Sequence, residues 1–214
     1  MNLSRRMLKI IELIPPCDLL ADVGCDHGMV GISALMQNKT KKVIFIDISQ
    51  PSLKKAENLA RQYNMLDKCE FVVGDGLCGK KVDCAIIAGM GGKEILKILE
   101  NSAEKPQYLL LNPMRNTDTV REKIVEDYRV SYDEKFLDKK FYDLMFLVRG
   151  SDKLSTLEIK YGRTNLEFFC EDFCCFLRQE QFKYAKILKD TQNSEIESYL
   201  KEIETLLYRS KNVG

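Results

Sequence analysis

Five short, almost continuously apolar runs punctuate the first half of the chain: LLADVG (19–24), VIFID (43–47), CEFVVGD (69–75), VDCAIIAG (82–89) and YLLLNP (108–113). A strand with one wet face alternates polar and apolar residues, whereas unbroken runs suit strands buried on both faces of a parallel sheet. The stretches between them, at about 28–37, 51–63, 92–100 and 117–127, read as helices. Strands alternating with helices build right-handed βαβ units, and so a doubly wound, Rossmann-like α/β sheet.

Past Asp127 the rhythm changes. RVSYDEKFL and FYDLMFLVRG are both β-prone, with only Asp138 to Lys140 between them. They are expected to form an antiparallel hairpin on the sheet edge. From about Thr164 one stripe of residues, apolar but for Gln181, recurs every three or four positions: Leu166, Cys170, Phe173, Leu177, Gln181, Tyr184 and Leu188. The polar break DTQNS (190–194) follows, and Ser194 is the expected N-cap of a second amphipathic helix. A C-terminal α-helical hairpin results, its first helix projecting roughly 35 Å. The predicted division is a sheet domain over 1–160 and a helical domain over 161–214.

With 33 Lys+Arg against 32 Asp+Glu and 45% hydrophobic residues, the 214-residue chain can bury a core and carries no strongly basic arm. No apolar run reaches the roughly 18–20 residues of a membrane-spanning helix, and MNLSRRMLKIIELIPP reads as a short amphipathic helix. The 8 cysteines are scattered without a Cys-x-x-Cys pair, and the single His completes no zinc set, so reduced thiols and no metal are expected. A soluble cytoplasmic monomer fits these features.

Ligands of a doubly wound sheet bind outside the carboxyl ends of its strands. ADVGCDHG puts Asp22 at the end of the first strand, Gly24 in the turn, and Asp26 and His27 beyond it. The spacing is Asp-x-Gly-x-x-x-Gly, not the Gly-x-Gly-x-x-Gly of dinucleotide sites. Asp47 ends the second strand, where an acid suits the two hydroxyls of a ribose. Asp75 in GDGL ends the third, placed to accept from an adenine amino group, and AGMGG (88–92) follows the fourth. Such an acidic rim offers nothing to a pyrophosphate and suits a cationic cofactor such as S-adenosyl-L-methionine. The expected cofactor residues are Asp22, Gly24, Cys25, Asp47, Ile48, Gly74, Asp75, Gly76, Ala88, Gly89 and Met90.

From LSRRMLKI through DVGCDHG, GDGL, AGMGG and NPM to the helical tail, the chain resembles bacterial tRNA adenine-N1 methyltransferases that modify adenine twenty-two in the D-arm. The resemblance implies a class I methyltransferase domain with a helical hairpin, S-adenosylmethionine as donor and tRNA as substrate. The chain departs from the family at Cys25, usually Ser, at Asp47, usually Glu, and at Met29 to Gly31, usually a Tyr-Leu-Pro-like run.

Adenine N1 has an in-plane lone pair, so the reaction needs exposure, in-line geometry and a home for the product's positive charge. Asp26 is the expected charge partner, His27 a positioner and Asn112 a hydrogen-bonding partner of the base. Arg5, Arg6, Lys93, Arg115 and Arg121 are expected to meet tRNA phosphates. Two alternatives stay open: a methyltransferase for protein or small molecules, and a non-catalytic protein that binds cofactor or tRNA.

Overall fold

A computed structural model describes residues 1–190 and 192–211. The apolar runs form β1 (Cys17–Val23), β2 (Thr40–Asp47), β3 (Cys69–Val73), β4 (Cys84–Ala88) and β5 (Tyr108–Asn112), all parallel. β6 (Tyr128–Asp138) and β7 (Lys140–Arg149) form the expected edge hairpin, turning on Lys139 alone. β7 pairs antiparallel with β5, giving the seven-stranded order β3-β2-β1-β4-β5-β7-β6.

Helices cover both faces, which is why the strands carry no polar side. Successive residues of a strand point to opposite faces. Val23, Ala85, Ile87, Leu109 and Leu111 therefore pack beneath α4 (Gly92–Glu100) and α5 (Thr117–Ile124). Leu20, Phe45, Ile86 and Leu110 pack beneath α1 (Arg5–Leu13), α2 (Met29–Met36) and α3 (Gln50–Gln62). The chain winds outward from β1 to β3 and resumes at β4 on the other side of β1. The connections after β1 and β4 thus leave toward opposite faces and open a crevice between them.

The helical tail departs from the sequence expectation. In place of one long first helix the chain forms α6 (Thr156–Tyr161), α7 (Arg163–Phe168) and α8 (Glu171–Asp190), with α9 (Ser194–Ser210) returning along α8. Gly162 (φ 91°) and Phe169 (φ 46°) break the run. The cause is the open edge of β6. Its N–H groups at Val130, Asp133, Lys135 and Leu137 donate to the side chains of Asp152, Thr164, Asn165 and Asp172 at 2.8–3.2 Å. A single straight helix could not present three of those four acceptors along a strand. The breaks trade helix continuity for a covered edge, which guards against pairing with another chain.

α8 spans 20 residues, about 30 Å at the usual rise rather than 35 Å. The N-cap of α9 is Asn193, not Ser194: its Oδ1 accepts from the Glu195 and Ile196 N–H groups at 2.9 and 3.2 Å. Thr191 of the polar break lies outside the described residues. The division expected between 160 and 161 falls one residue before the end of α6.

Arg121, expected at the RNA-facing rim, is 1% exposed. Its guanidinium grips Asp133 through two bonds of 2.7 and 2.8 Å, reaches Asp143 at 3.0 Å, and donates to the carbonyls of Ile159 and Lys160. It cannot touch a phosphate. Sequence alone could not separate it from the surface arginines, because its carboxylate partners lie on β6 and β7. Burial works against ionisation of Asp143, yet Lys135 and Arg121 hold its carboxyl below the usual range. Arg121→Ala leaves two buried acids short of a partner and is expected to cost about 3–5 kcal/mol in urea unfolding. A loss below about 1 kcal/mol would show the cluster to be incidental.

Candidate functional site

A cavity of about 490 Å³ opens at the carboxyl ends of β1 to β4, within the usual range of roughly 300–1,000 Å³ for small-molecule sites. Its floor is Val23, Gly24 and Ile46, and Gly89 and Met90 close the β4 side. Gly24 has φ +68°, a left-handed conformation that favours glycine, and a Cβ there would meet the flexible tip of the Met90 side chain.

Asp47 ties the front of the site together. Its Oδ2 accepts from the Asp26 N–H at 3.2 Å and its Oδ1 from the Ser49 N–H at 2.8 Å. One carboxylate thus braces the loops after β1 and β2 and keeps lone pairs for a ligand. Asp75 and Glu94 also line the cavity, against one cation, Lys97. The excess of carboxylates favours a positively charged guest.

Of the expected cofactor residues, Gly24, Asp47, Ile48, Gly74, Asp75, Gly76, Gly89 and Met90 line this cavity. Asp22, Cys25 and Ala88 do not. Asp22 sits behind the floor, 6% exposed, accepting from the Gly31 N–H at 3.1 Å and so pinning the first turns of α2. Burial pushes its carboxyl up to about 7; the Gly31 N–H opposes this and the nearby Asp47 adds to it. Burial likewise pushes the Cys25 thiol up, leaving it an inert packing group. Ala88 pairs with Asn112 in the sheet just before the cavity begins.

The expected catalytic trio is not assembled. Asp26 (φ 47°) and His27 are exposed neighbours, with Oδ2 to Nε2 at 3.5 Å, and Lys55 reaches Asp26 at 3.5 Å. His27 faces a shallower depression shared with Lys55, Asn58 and Gln62. Asn112, expected to meet the base, is instead fully buried. Its Nδ2 donates to the Asp143 carbonyl at 2.6 Å, and its Oδ1 has no partner among the described residues. The β5–β7 pairing sealed it, and that pairing is not visible in a local motif.

The expected phosphate contacts also divide. Lys93 and Arg115 are exposed beside the cavity, Arg115 at 3.8 Å from Glu94. Arg5 is engaged with Asp172 at 2.7 Å and the Leu137 carbonyl at 2.6 Å, joining α1 to α8 and β6. Arg6 lies over the Tyr142 ring, next to Gly89.

Sequence reasoning missed the far wall: Leu77, Cys78 and Gly79 after β3, and Ile98, Asn101 and Ser102 on and after α4. A signal was present. Glu94, Lys97, Ile98 and Asn101 stand at i, i+3, i+4 and i+7, one helix face that mixes charge with apolar surface. Among the described residues no His/Cys/Asp/Glu group could hold a metal ion, and no helix is long and apolar enough to cross a membrane.

A family profile described as a methyltransferase domain matches residues 3–145. The tRNA (adenine(22)-N(1))-methyltransferase of Bacillus subtilis is 28% identical over 158 residues, 70% of this chain and 66% of that protein. The chain thus spans a little under two thirds of that relative's length. Among solved structures, M. capricolum TrmK in complex with S-adenosyl-homocysteine superposes with a TM-score of 0.80 at 25% identity, covering 99% of this chain and 97% of that one. Streptococcus pneumoniae Sp1610 in complex with S-adenosyl-L-methionine gives 0.86 at 21% identity, covering 96% and 100%, a likeness of fold.

Asp22 supplies a test of the electrostatics. Between about pH 4 and 7 an unfolded Asp22 is ionised while the folded one keeps its proton, so its contribution to stability falls as pH rises and stays low above pH 7. Asp22→Asn retains an acceptor for Gly31 without that charge. Relative to the native chain, its unfolding free energy should improve from pH 4.5 to pH 8 by on the order of a few kcal/mol. An unchanged difference between the two pH values would remove the buried-charge account.

Proposed function

The chain belongs to the methyltransferase-domain family, and from that membership we propose that it methylates N1 of adenine 22 in the D-arm of tRNA, using S-adenosyl-L-methionine. The carrying observation is the carboxylate-rich cavity at the β1/β4 crevice, in a chain related to a tRNA (adenine(22)-N(1))-methyltransferase. The chain's residues fit that cofactor. Asp47 offers acceptors to a ribose, Asp75 an acceptor beside a base, and Ile46, Leu77 and Ile98 flat apolar walls. Gly24, without a side chain, exposes backbone on the cavity floor.

When bound, S-adenosylmethionine supplies an electrophilic methyl group on a sulfonium. The protein's task is then orientation, because N1 attacks with a free lone pair and no proton has to leave first. Within a duplex N1 is occupied by pairing, so the adenine has to be extruded toward the cavity mouth. Methylation makes the ring cationic. To that charge we assign the exposed Asp26 carboxylate, whose N–H in a left-handed turn is bonded to Asp47. His27 orients Asp26 from one side. Asn112 acts from beneath: it ties β5 to β7, and the following Met114 donates to the Met90 carbonyl at 2.8 Å, which steadies AGMGG.

Lys93 and Arg115 flank the mouth and are assigned to tRNA phosphates. The chain is taken to act as a monomer in the cytoplasm.

Incubation with unmodified tRNA transcript and cofactor, followed by mass-spectrometric mapping, should place one methyl group on adenine 22. A product on another nucleotide, or none, rejects the assignment. Asp47→Ala should weaken cofactor binding at least about tenfold in calorimetry, since it loses charge-assisted hydrogen bonds; wild-type affinity would take the ribose away from Asp47. Asp26→Asn should slow single-turnover methyl transfer about tenfold or more while cofactor affinity holds. Equal rates would move charge stabilisation elsewhere.

A further inference from the structure

The cavity changes character along the row of strand ends. Asp75 and the α4 wall stand on the β3 side, Asp47 at β2, Gly24 at β1, and Gly89 with Met90 at β4. If Asp47 takes the ribose, as the proposed function holds, the nucleoside lies over β2 and β3. The amino-acid end of the cofactor then lies over β1 and β4.

An unneutralised guanidinium stands at that end. Arg6 Nη1 is 4.0 Å from where a Cβ on Gly89 would be, and Gly89 (φ +87°) has no side chain to come between them. The guanidinium Cζ rests 5.2 Å from the centroid of the Tyr142 ring, and the Arg6 N–H is held by Asp138 Oδ2 at 2.8 Å. Among the described residues Arg6 forms no ion pair, in contrast to Arg5 beside it, which is committed to Asp172. Lys140 Nζ, 5.1 Å from the same ring centroid, adds positive potential.

S-adenosylmethionine carries a sulfonium and an ammonium, both repelled by such a group, and one anion, its α-carboxylate. We propose that Arg6 anchors the cofactor's α-carboxylate at the β4 end of the cavity, rather than meeting tRNA as its place in the sequence implied. A planar guanidinium matches a carboxylate bidentately, and the Tyr142 face holds it flat without neutralising it. The arrangement also fixes polarity: acids hold the cationic and hydroxyl-bearing parts, and one arginine holds the anionic tip.

Titration calorimetry on the full chain without RNA tests this with two probes, S-adenosylhomocysteine and 5′-methylthioadenosine, which lacks the amino-acid end. Arg6→Ala should weaken S-adenosylhomocysteine about tenfold or more and leave methylthioadenosine within about twofold. Arg6→Lys, which keeps the charge and loses the fork, should fall between, and melting curves of both variants report whether α1 stays packed. Equal weakening of both probes would overturn the proposal in favour of a packing role. Unchanged affinity for both, with a raised KM for tRNA, would overturn it in favour of a phosphate contact. If the native chain bound neither probe, the cofactor reading itself would fall, a result distinct from any change confined to the variants.

Discussion

A parallel sheet covered on both faces has no free polar side on which to build a site, so chemistry is confined to the strand ends. In this chain the confinement is sharpened by the jump from β3 to β4 across β1. Backbone leaves the ends of β1 and β4 toward opposite layers, and the gap is a crevice that no helix can fill. What the crevice holds is then decided by a few residues at strand ends. Asp47 braces two loops with one carboxylate, and Gly24 takes the left-handed turn after β1. Asp22, one step farther back, gives its lone pairs to the start of α2 rather than to a ligand.

The other open problem of such a sheet is its edge. β6 ends the sheet, and the tail helices close it with side-chain acceptors at alternate backbone N–H groups. The same tail is joined to the core through Arg121, which links α5, β6, β7 and α6 in one buried cluster. From Asp143 in that cluster the contacts continue to the side-chain amide of Asn112 at the end of β5, and the backbone carbonyl of Asn112 accepts from the Gly89 N–H at 3.1 Å. The tail and the cavity wall are therefore parts of one contiguous hydrogen-bonded structure, though contiguity alone is not coupling.

The chemistry proposed for the cavity asks little of a general base. The cavity's acids instead set a potential that welcomes a cation, while the exposed Asp26 and His27 stand outside the floor. That division suits a reaction in which the nucleophile arrives on a large substrate already carrying its lone pair.

How much of this could be read in advance follows from the range of the interactions. Runs such as VIFID and CAIIA dictate strands buried on both faces, and their alternation with helical segments dictates a doubly wound sheet, because each rule depends on near neighbours in the chain. Asp47, Asp75 and Gly24 were legible for the same reason, since topology alone carries the ends of β1, β2 and β3 to one rim, whereas Asp22 turned out to lie behind the floor, bonded to the Gly31 N–H. Arg121, Asn112 and the broken tail were not. Whether an arginine faces RNA or a pair of buried aspartates, whether an Asn at a strand end is open or sealed, and where an amphipathic helix must break all depend on groups 12 to 39 residues away. Local sequence determined which elements form and where the crevice lies; packing between distant elements decided which polar side chains remain free to act in it.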